Sequence, residues 1–390
     1  MQATNIIYGT ERRKPILPLI LPWLGIALIL LSGLALLLVS QRSSGFATWY
    51  AANIFPVFPR IFGWFWGLFP FSVFEILLIL FSLCILFGFI ILIASMRNYK
   101  SRAKLKTRAK AIVLGILYFI SAMFLIFVLT AGINYNRESF ADHIGITVQA
   151  SSLDELIQLY LLLAERADML SEQIATDGDG FFMIRREGLC LYDNARQSMY
   201  DLNGLYGGLS YFLPRAKAPM LSRFIMSNAN IAGFFSPWTM EAHYNGDMPD
   251  NTVPFVINHE LAHVSGHMRE EEANFIANLA SRNSEFADFQ YSAVYVALSY
   301  TLQALRRSVS PAQYNELFNL LPQQIIRDFT ASRAYWRQFE GPVADMQVRV
   351  NDAYLRLNQQ EDGVQSYGRM LDLLLAYYRT RGYLGGFNGA

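Results

Sequence analysis

The chain predicts an α+β fold in two parts: three amino-terminal transmembrane helices, then a mostly helical outer domain with a small sheet. Long apolar runs confined to the first third carry the first part of that expectation. Helical patterning with clear start signals, and only a few short stretches of strand character, carry the second. The apolar runs cover about 16–40, 71–95 and 111–133, and each is long enough to cross a hydrocarbon core of about 30 Å. The first is too long for a cleavable leader, lacks a clear small-residue cleavage site and is followed by further spans, so it reads as an anchor. Residues 1–133 are therefore expected to form a membrane anchor and 134–390 an extracytoplasmic domain.

Lysine and arginine set the expected orientation. Arg12, Arg13 and Lys14 precede the first span, and Arg97, Lys100, Arg102, Lys104, Lys106, Arg108 and Lys110 lie between the second and third. The loop between the first two spans carries only Arg42 and Arg60. By the positive-inside rule the amino terminus and the second loop are cytoplasmic, giving a multi-pass protein of the cell membrane with its carboxy-terminal domain outside. The overall charge of +1 hides a split: residues 1–133 hold twelve basic residues against Glu11 and Glu75, and the remainder holds 20 basic and 29 acidic ones. A mildly acidic outer domain argues against a nucleic-acid partner. Cys84 falls in a span and Cys190 outside it, so no disulfide within the outer domain is expected.

Between the first two spans, Phe55 to Phe71 is dense in aromatics and prolines, the composition of a segment lying in the membrane interface. Ser152 and Glu155 form a capping box opening a helix to about Ala175. Asp177-Gly178-Asp179-Gly180 lacks the later ligands of a calcium loop and reads as a turn. Phe181–Ile184 and Arg223–Ser227 read as short strands, with a helix near 192–205 between them, and Gly233–Tyr244 as an edge strand interrupted by Pro237. Helices follow near 254–265, 269–283, 286–307, 311–320, 322–338, 342–358 and 366–380.

The chemistry is concentrated in His259-Glu260-Leu261-Ala262-His263, an H-E-x-x-H motif in an apolar helical run. Histidines four apart on a helix project about 40° from one another and can close on one ion. Neutral imidazole suits Zn2+, and Glu260 is placed to take a proton from an attacking water. Pro254 near the helix start and Gly266 after the second histidine frame helix, metal face and turn. A catalytic zinc needs a third protein ligand, for which His243, His267, Glu270, Glu271 and Glu272 are available nearby. Arg269 stands where a metzincin would have its third histidine.

Glu270 to Ala277 resembles the E-x-x-A-D-x-x-A helix of gluzincin peptidases, in which the first glutamate binds zinc and the aspartate orients a ligand histidine. The resemblance makes Glu270 the third ligand, with Glu272 as its rival, and puts Asn274 in the aspartate's place. More widely the chain resembles a bacterial family of membrane-anchored, zincin-like proteins known only as a domain of unknown function. Pro214–Lys217, Gly233–Ala242, His259–Ala277, Asn351–Leu355 and Gly363–Arg369 carry that likeness. It implies a zincin-like fold and suggests peptidase activity. His243, Tyr244 and Tyr367 are candidate donors to transition-state charge, while Tyr291, Tyr295 and Tyr300 fit core spacing. The expected function is a membrane-anchored zinc metallopeptidase acting on a peptide or protein substrate outside the cytoplasm, with the lipid bilayer as its other partner. The alternative is a non-hydrolytic zincin-fold sensor of an extracellular peptide or cell-wall component, to which an intact Glu260 is superfluous.

Overall fold

The computed structural model of the protein describes residues 17–96, 99–185, 190–221, 223–358, 360, 363 and 368–384. Helix α1 spans Leu17–Arg42; a short α2, Ser44–Asn53, follows it, started by the Ser43 side chain accepting from the Phe46 N–H. Helix α3 runs over Val73–Met96 and α4 over Tyr99–Phe127. A π turn, Val128–Gly132, and a tight turn, Ile133–Asn136, prolong α4. Within these, Leu21–Arg42, Val73–Met96 and Ala109–Asn136 are long and apolar enough to cross a membrane. One expectation changes here: the basic stretch before the third span is no loop, because α4 begins at Tyr99 and carries Arg102 to Lys110 on its first turns.

Small residues let α1 and α4 approach closely, as apolar helices require when dispersion alone drives their packing. Gly25 faces Tyr118, whose hydroxyl donates to the Pro22 carbonyl at 2.8 Å, and Gly33 faces Phe124. The aromatic segment between α2 and α3 folds into a π turn at Pro59–Gly63 and a helical turn at Trp64–Gly67.

In the outer part, α5 (Leu153–Ser171) opens on the expected capping box but stops short of Ala175, which belongs to a strand. Strands β1 (Ala175–Thr176) and β2 (Phe182–Met183) pair antiparallel across the Asp177 turn, whose Oδ1 accepts the N–H groups of Asp179 and Phe181. Helix α6 covers Cys190–Tyr206. Residues Arg223–Ser227 form a π turn rather than the expected strand. β-branching and aromatic content suggested a strand there; Phe224 and Ile225 are exposed and lack the alternation of a half-buried one. Gly233–Tyr244 is a hairpin rather than one interrupted strand: β3 (Gly233–Ser236) pairs with β4 (Glu241–Tyr244), Gly233 opposite Tyr244, and Pro237 lies in the turn. Helices α7 (Val253–Val264), α8 (Glu270–Arg282), α9 (Ala287–Ser308), α10 (Pro311–Phe318), α11 (Gln323–Arg337), α12 (Pro342–Leu357) and α13 (Met370–Thr380) complete the chain.

Every residue of helix α7 is buried, its apolar side chains in the core and His259, Glu260 and His263 at the floor of a cleft. Its Ile257 and Leu261 join Phe275 and Leu279 of α8, Tyr291 and Leu298 of α9 and Leu374 of α13 in one core. A Leu→Ala change there costs about 2–5 kcal/mol.

Two carboxylates lock the outer part to the apolar helices. Glu241 of β4 accepts the N–H groups of Val73 and Phe74 at 3.0 and 2.8 Å, at the positive end of α3. In return, Glu75 of α3 accepts the N–H groups of Met220 and Leu221, both at 2.7 Å. Lys217 donates to Glu241 at 2.6 Å and to the Trp66 carbonyl at 2.8 Å. Met240 and Met268 of the outer part pack with Tyr50, Phe55, Val128 and Ala131 in a second core.

Candidate metal centre

Helix α7 carries Pro254 in its first turn and ends in a left-handed cap at Gly266, φ 87°. The His267 N–H closes on the Ala262 carbonyl at 3.1 Å and the Gly266 N–H on that of His263 at 2.9 Å, the paired bonds of a Schellman ending. A side chain at Gly266 would be strained by that φ and would meet the Phe55 ring at 3.0 Å. The turn delivers α8 so that its first residue, Glu270, faces back along α7.

There, Glu270 Oε2 lies 3.1 Å from His259 Nε2 and 3.7 Å from His263 Nε2. One donor atom from each residue falls within 4.8 Å of the others, close enough for all three to hold one metal ion. The two imidazole planes stand at 87°. His263 Nδ1 lies 2.7 Å from the His267 carbonyl, which can only accept, so Nδ1 carries the proton and Nε2 is left for a ligand. Asn274, one turn beyond Glu270, is close enough to His259 to favour its protonated form, although Nδ1 completes no hydrogen bond of ordinary geometry. Glu260 Oε2 is buried with no hydrogen-bond partner, and beside it Glu270 Oε2 meets only the two imidazoles. Orphans of that kind mark a place where a ligand or ion belongs.

Charge at the site is strongly coupled. Burial would raise the Glu270 carboxyl, but the adjoining His259 and His263 imidazoles hold it below the ordinary carboxylate range. Burial would lower His263, yet contact with Glu270 and the charges of Glu270 and Glu260 raise it to about 9. His259 is lowered, chiefly by burial. Burial pushes Glu260 up to about 8, a shift that the His263 charge only partly offsets. Burial thus favours the protonated form of Glu260, and a cation held by the neighbouring donors would favour its carboxylate.

The remaining expected residues fall elsewhere. Glu272 points away from the histidine pair to Arg269, 2.5 Å away, and to His267 at 3.5 Å. His243 does not face the cleft: its Nε2 is 2.8 Å from the Ser72 hydroxyl, and its ring stacks on Phe234 within the lock to α3. Tyr244 is hydrogen-bonded to Tyr192 at 3.0 Å. Neither residue lines the cleft over the histidine pair. Tyr367 lies outside the described residues.

A cleft of about 930 Å³ opens over the three donors and Glu260. Strand β3 and Trp238 form one wall, Gln347, Asn351 and Tyr354 of α12 the other, and Tyr300 of α9 reaches in between. The edge of β3 away from β4 has no strand partner among the described residues. Burial, with the charge of Glu270, raises the Tyr300 phenol to about 12, so it stays protonated and able to donate at neutral pH. Tyr300 was assigned to the core by spacing. The recurrence of Gln347, Asn351 and Tyr354 on one helical face was the signal available for α12.

A family described as a protein of unknown function, DUF3810, matches residues 50–375. The chain belongs to that family. The DUF3810 match runs from α2 into α13 and so takes in the lock to α3, both helices that carry His259, His263 and Glu270, and every residue named as lining the cleft. It bears out the likeness to a family of unknown function, whose description carries no zincin character. No curated protein and no solved structure matches the chain.

Proposed function

We propose that this DUF3810 member is a membrane-anchored, zinc-dependent peptidase of zincin type, with its site on the extracytoplasmic face. The observation that carries the reading is the convergence of His259, His263 and Glu270 beside a buried, unpartnered Glu260. Two imidazoles and one carboxylate are a donor set typical of catalytic zinc, and three protein ligands leave room for a reacting group. A zinc ion held there would polarise the scissile carbonyl and acidify the attacking water.

The rest falls to the chain itself. An extended substrate pairs with the free edge of β3, whose main chain supplies hydrogen bonds before any side chain is read. Glu260 takes the proton of the attacking water at its carboxylate and passes it to the leaving amine. Tyr300 donates from across the cleft to charge developing on the carbonyl oxygen. The walls exclude bulk water, which strengthens each of these interactions. The extracytoplasmic side follows from the basic residues at the start of α4 and before α1.

The test uses the full chain purified in a mild detergent. Metal analysis is expected to give stoichiometric zinc, and a mixed peptide library to be cleaved by the parent and not by Glu260→Gln. A protein that binds no zinc, or a Gln variant that cleaves as the parent does, removes the proposal.

A further inference from the structure

The metal centre does not stand on a stalk above the amino-terminal helices; those helices build part of it. Phe127, Ala131 and Tyr135, at the end of the third apolar span, line the same cleft as His259 and Glu260. Trp238, at the cleft mouth, donates its indole N–H to the Met123 carbonyl within that span at 3.3 Å. Its ring stacks on Phe74 in the first turn of the second span, centroids 6.2 Å apart and planes 9° from parallel. Tyr354 of the opposite wall packs edge-on to Phe127 and accepts a hydrogen bond from Tyr135 at 3.0 Å. Both lips of the cleft thus rest on the spans, on the first turn of the second and on the carboxy-terminal half of the third.

The surface around the lips is apolar. On α12, Val343, Met346, Val350 and Leu357 recur at helical spacing and are exposed, Leu357 to 82%. Met220, Leu221, Phe224 and Ile225 are exposed beside the Glu75 contact, and Trp64 and Leu68 before α3. Exposed apolar side chains beside helices long enough to span a membrane suit contact with lipid. A floor made from a span and lips resting on spans bring the cleft to chains that leave the bilayer beside it.

We propose that the cleft takes the membrane-proximal stretch of polypeptides anchored in the same bilayer, within about ten residues of where they emerge, a reach of roughly 35 Å for an extended chain. The proposal rests on the peptidase reading for what happens next, but the binding geometry is independent of hydrolysis.

The experiment places the full chain in lipid vesicles with one of two probe polypeptides. Each probe is a single apolar span followed by the same mixed-sequence tail. In one the tail follows the span directly; in the other a Gly/Ser spacer of about 60 residues separates them, setting the tail about 40 Å away on average. Both probes are confined to the membrane, so surface concentration is equal and only the distance of the tail from the bilayer differs. A photo-crosslinking residue is placed at Val348 of the cleft wall in the Glu260→Gln protein, and hydrolysis is followed in the parent.

Cross-linking to the direct tail at least about tenfold above the spaced tail, mapped to its first residues, is the expected result. Equal cross-linking of the two tails, or none to the direct tail, overturns the proposal. Cross-linking of the direct tail without cleavage by the parent leaves this inference standing and removes the peptidase. Cleavage of both tails at equal rates does the reverse.

Discussion

Gly233 passes so close to Glu260 that a β-carbon on it would lie 2.5 Å from Oε1, and also 2.6 Å from Val256 Cγ1. The strand that offers its edge to the cleft therefore presses against the proposed base, and glycine is what permits the approach. Gly233→Ala is expected to displace the Glu260 carboxylate or the strand, lowering turnover by about tenfold or more while zinc content holds. Overpacking of this kind costs about 1–3 kcal/mol, so thermal unfolding should shift as well. Unchanged kcat with stoichiometric zinc would show that the contact is relieved elsewhere.

Glu270→Ala and Glu272→Ala separate the two neighbouring carboxylates. Removing Glu270 takes away one of three donors and should lower zinc affinity severely, read by competition with a chelating dye. Removing Glu272 takes the ion-pair partner from Arg269, which keeps the Arg137 carbonyl, and should lower Tm with zinc content near that of the parent. Equal loss of zinc from both variants would count against Glu270 as the specific ligand.

Glu260→Gln preserves shape and removes the proton acceptor. Turnover should fall by at least about 10²-fold, the lower part of the range for losing a general base. Zinc stoichiometry should stay near that of the parent, because Glu260 is not among the three converging donors.

The Glu241 lock carries a pH dependence. Burial would raise this carboxyl, but the Lys217 hydrogen bond and the Val73 N–H outweigh it, so its pKa lies below the ordinary 4.5. A depressed folded pKa gives stability that is present above the unfolded value and lost as pH falls through the folded one. Melting temperature in detergent should therefore be insensitive to this group near neutrality and fall below about pH 4.5. Glu241→Gln should lower Tm at neutral pH and flatten that acid slope. A slope identical to the parent's would assign acid sensitivity to other carboxylates.

Orientation is checked by fusing reporters after Asn136. A periplasm-dependent phosphatase should be active there and a cytoplasm-dependent reporter silent; the reverse pattern would place the metal centre inside the cell.

Local signals made part of this molecule readable. The two histidines at helical spacing, Pro254 near the helix start and Gly266 after them marked α7 and its turn, and the resemblance to the gluzincin helix singled out Glu270, which lies beside both histidines. The spans emerged from length and apolarity alone. What escaped was everything assembled from distant pieces: Phe127, Gly233, Tyr300 and Asn351 meet at one cleft with no shared periodicity to announce it. His243 shows the same limit. Its proximity in sequence to the motif suggested catalysis, whereas its partner, Ser72, lies 171 positions away. Arg223–Ser227 had strand composition, yet its exposure allowed a π turn, because short segments yield to tertiary context.

The crossed carboxylates, Glu75 reaching up and Glu241 reaching down, have a consequence for how the protein comes into being. Each satisfies backbone groups that belong to the other half of the chain, and the turn carrying Gly266 is seated on Phe55. A chain still in transit, with its spans not yet assembled, lacks the seat on which α7 and α8 converge. Assembly in the bilayer is then the step that completes the proposed centre, and the nascent protein carries it unfinished. The same logic makes residues 134–390 a poor choice for expression alone: cutting the chain there removes the floor of the cleft together with the anchor.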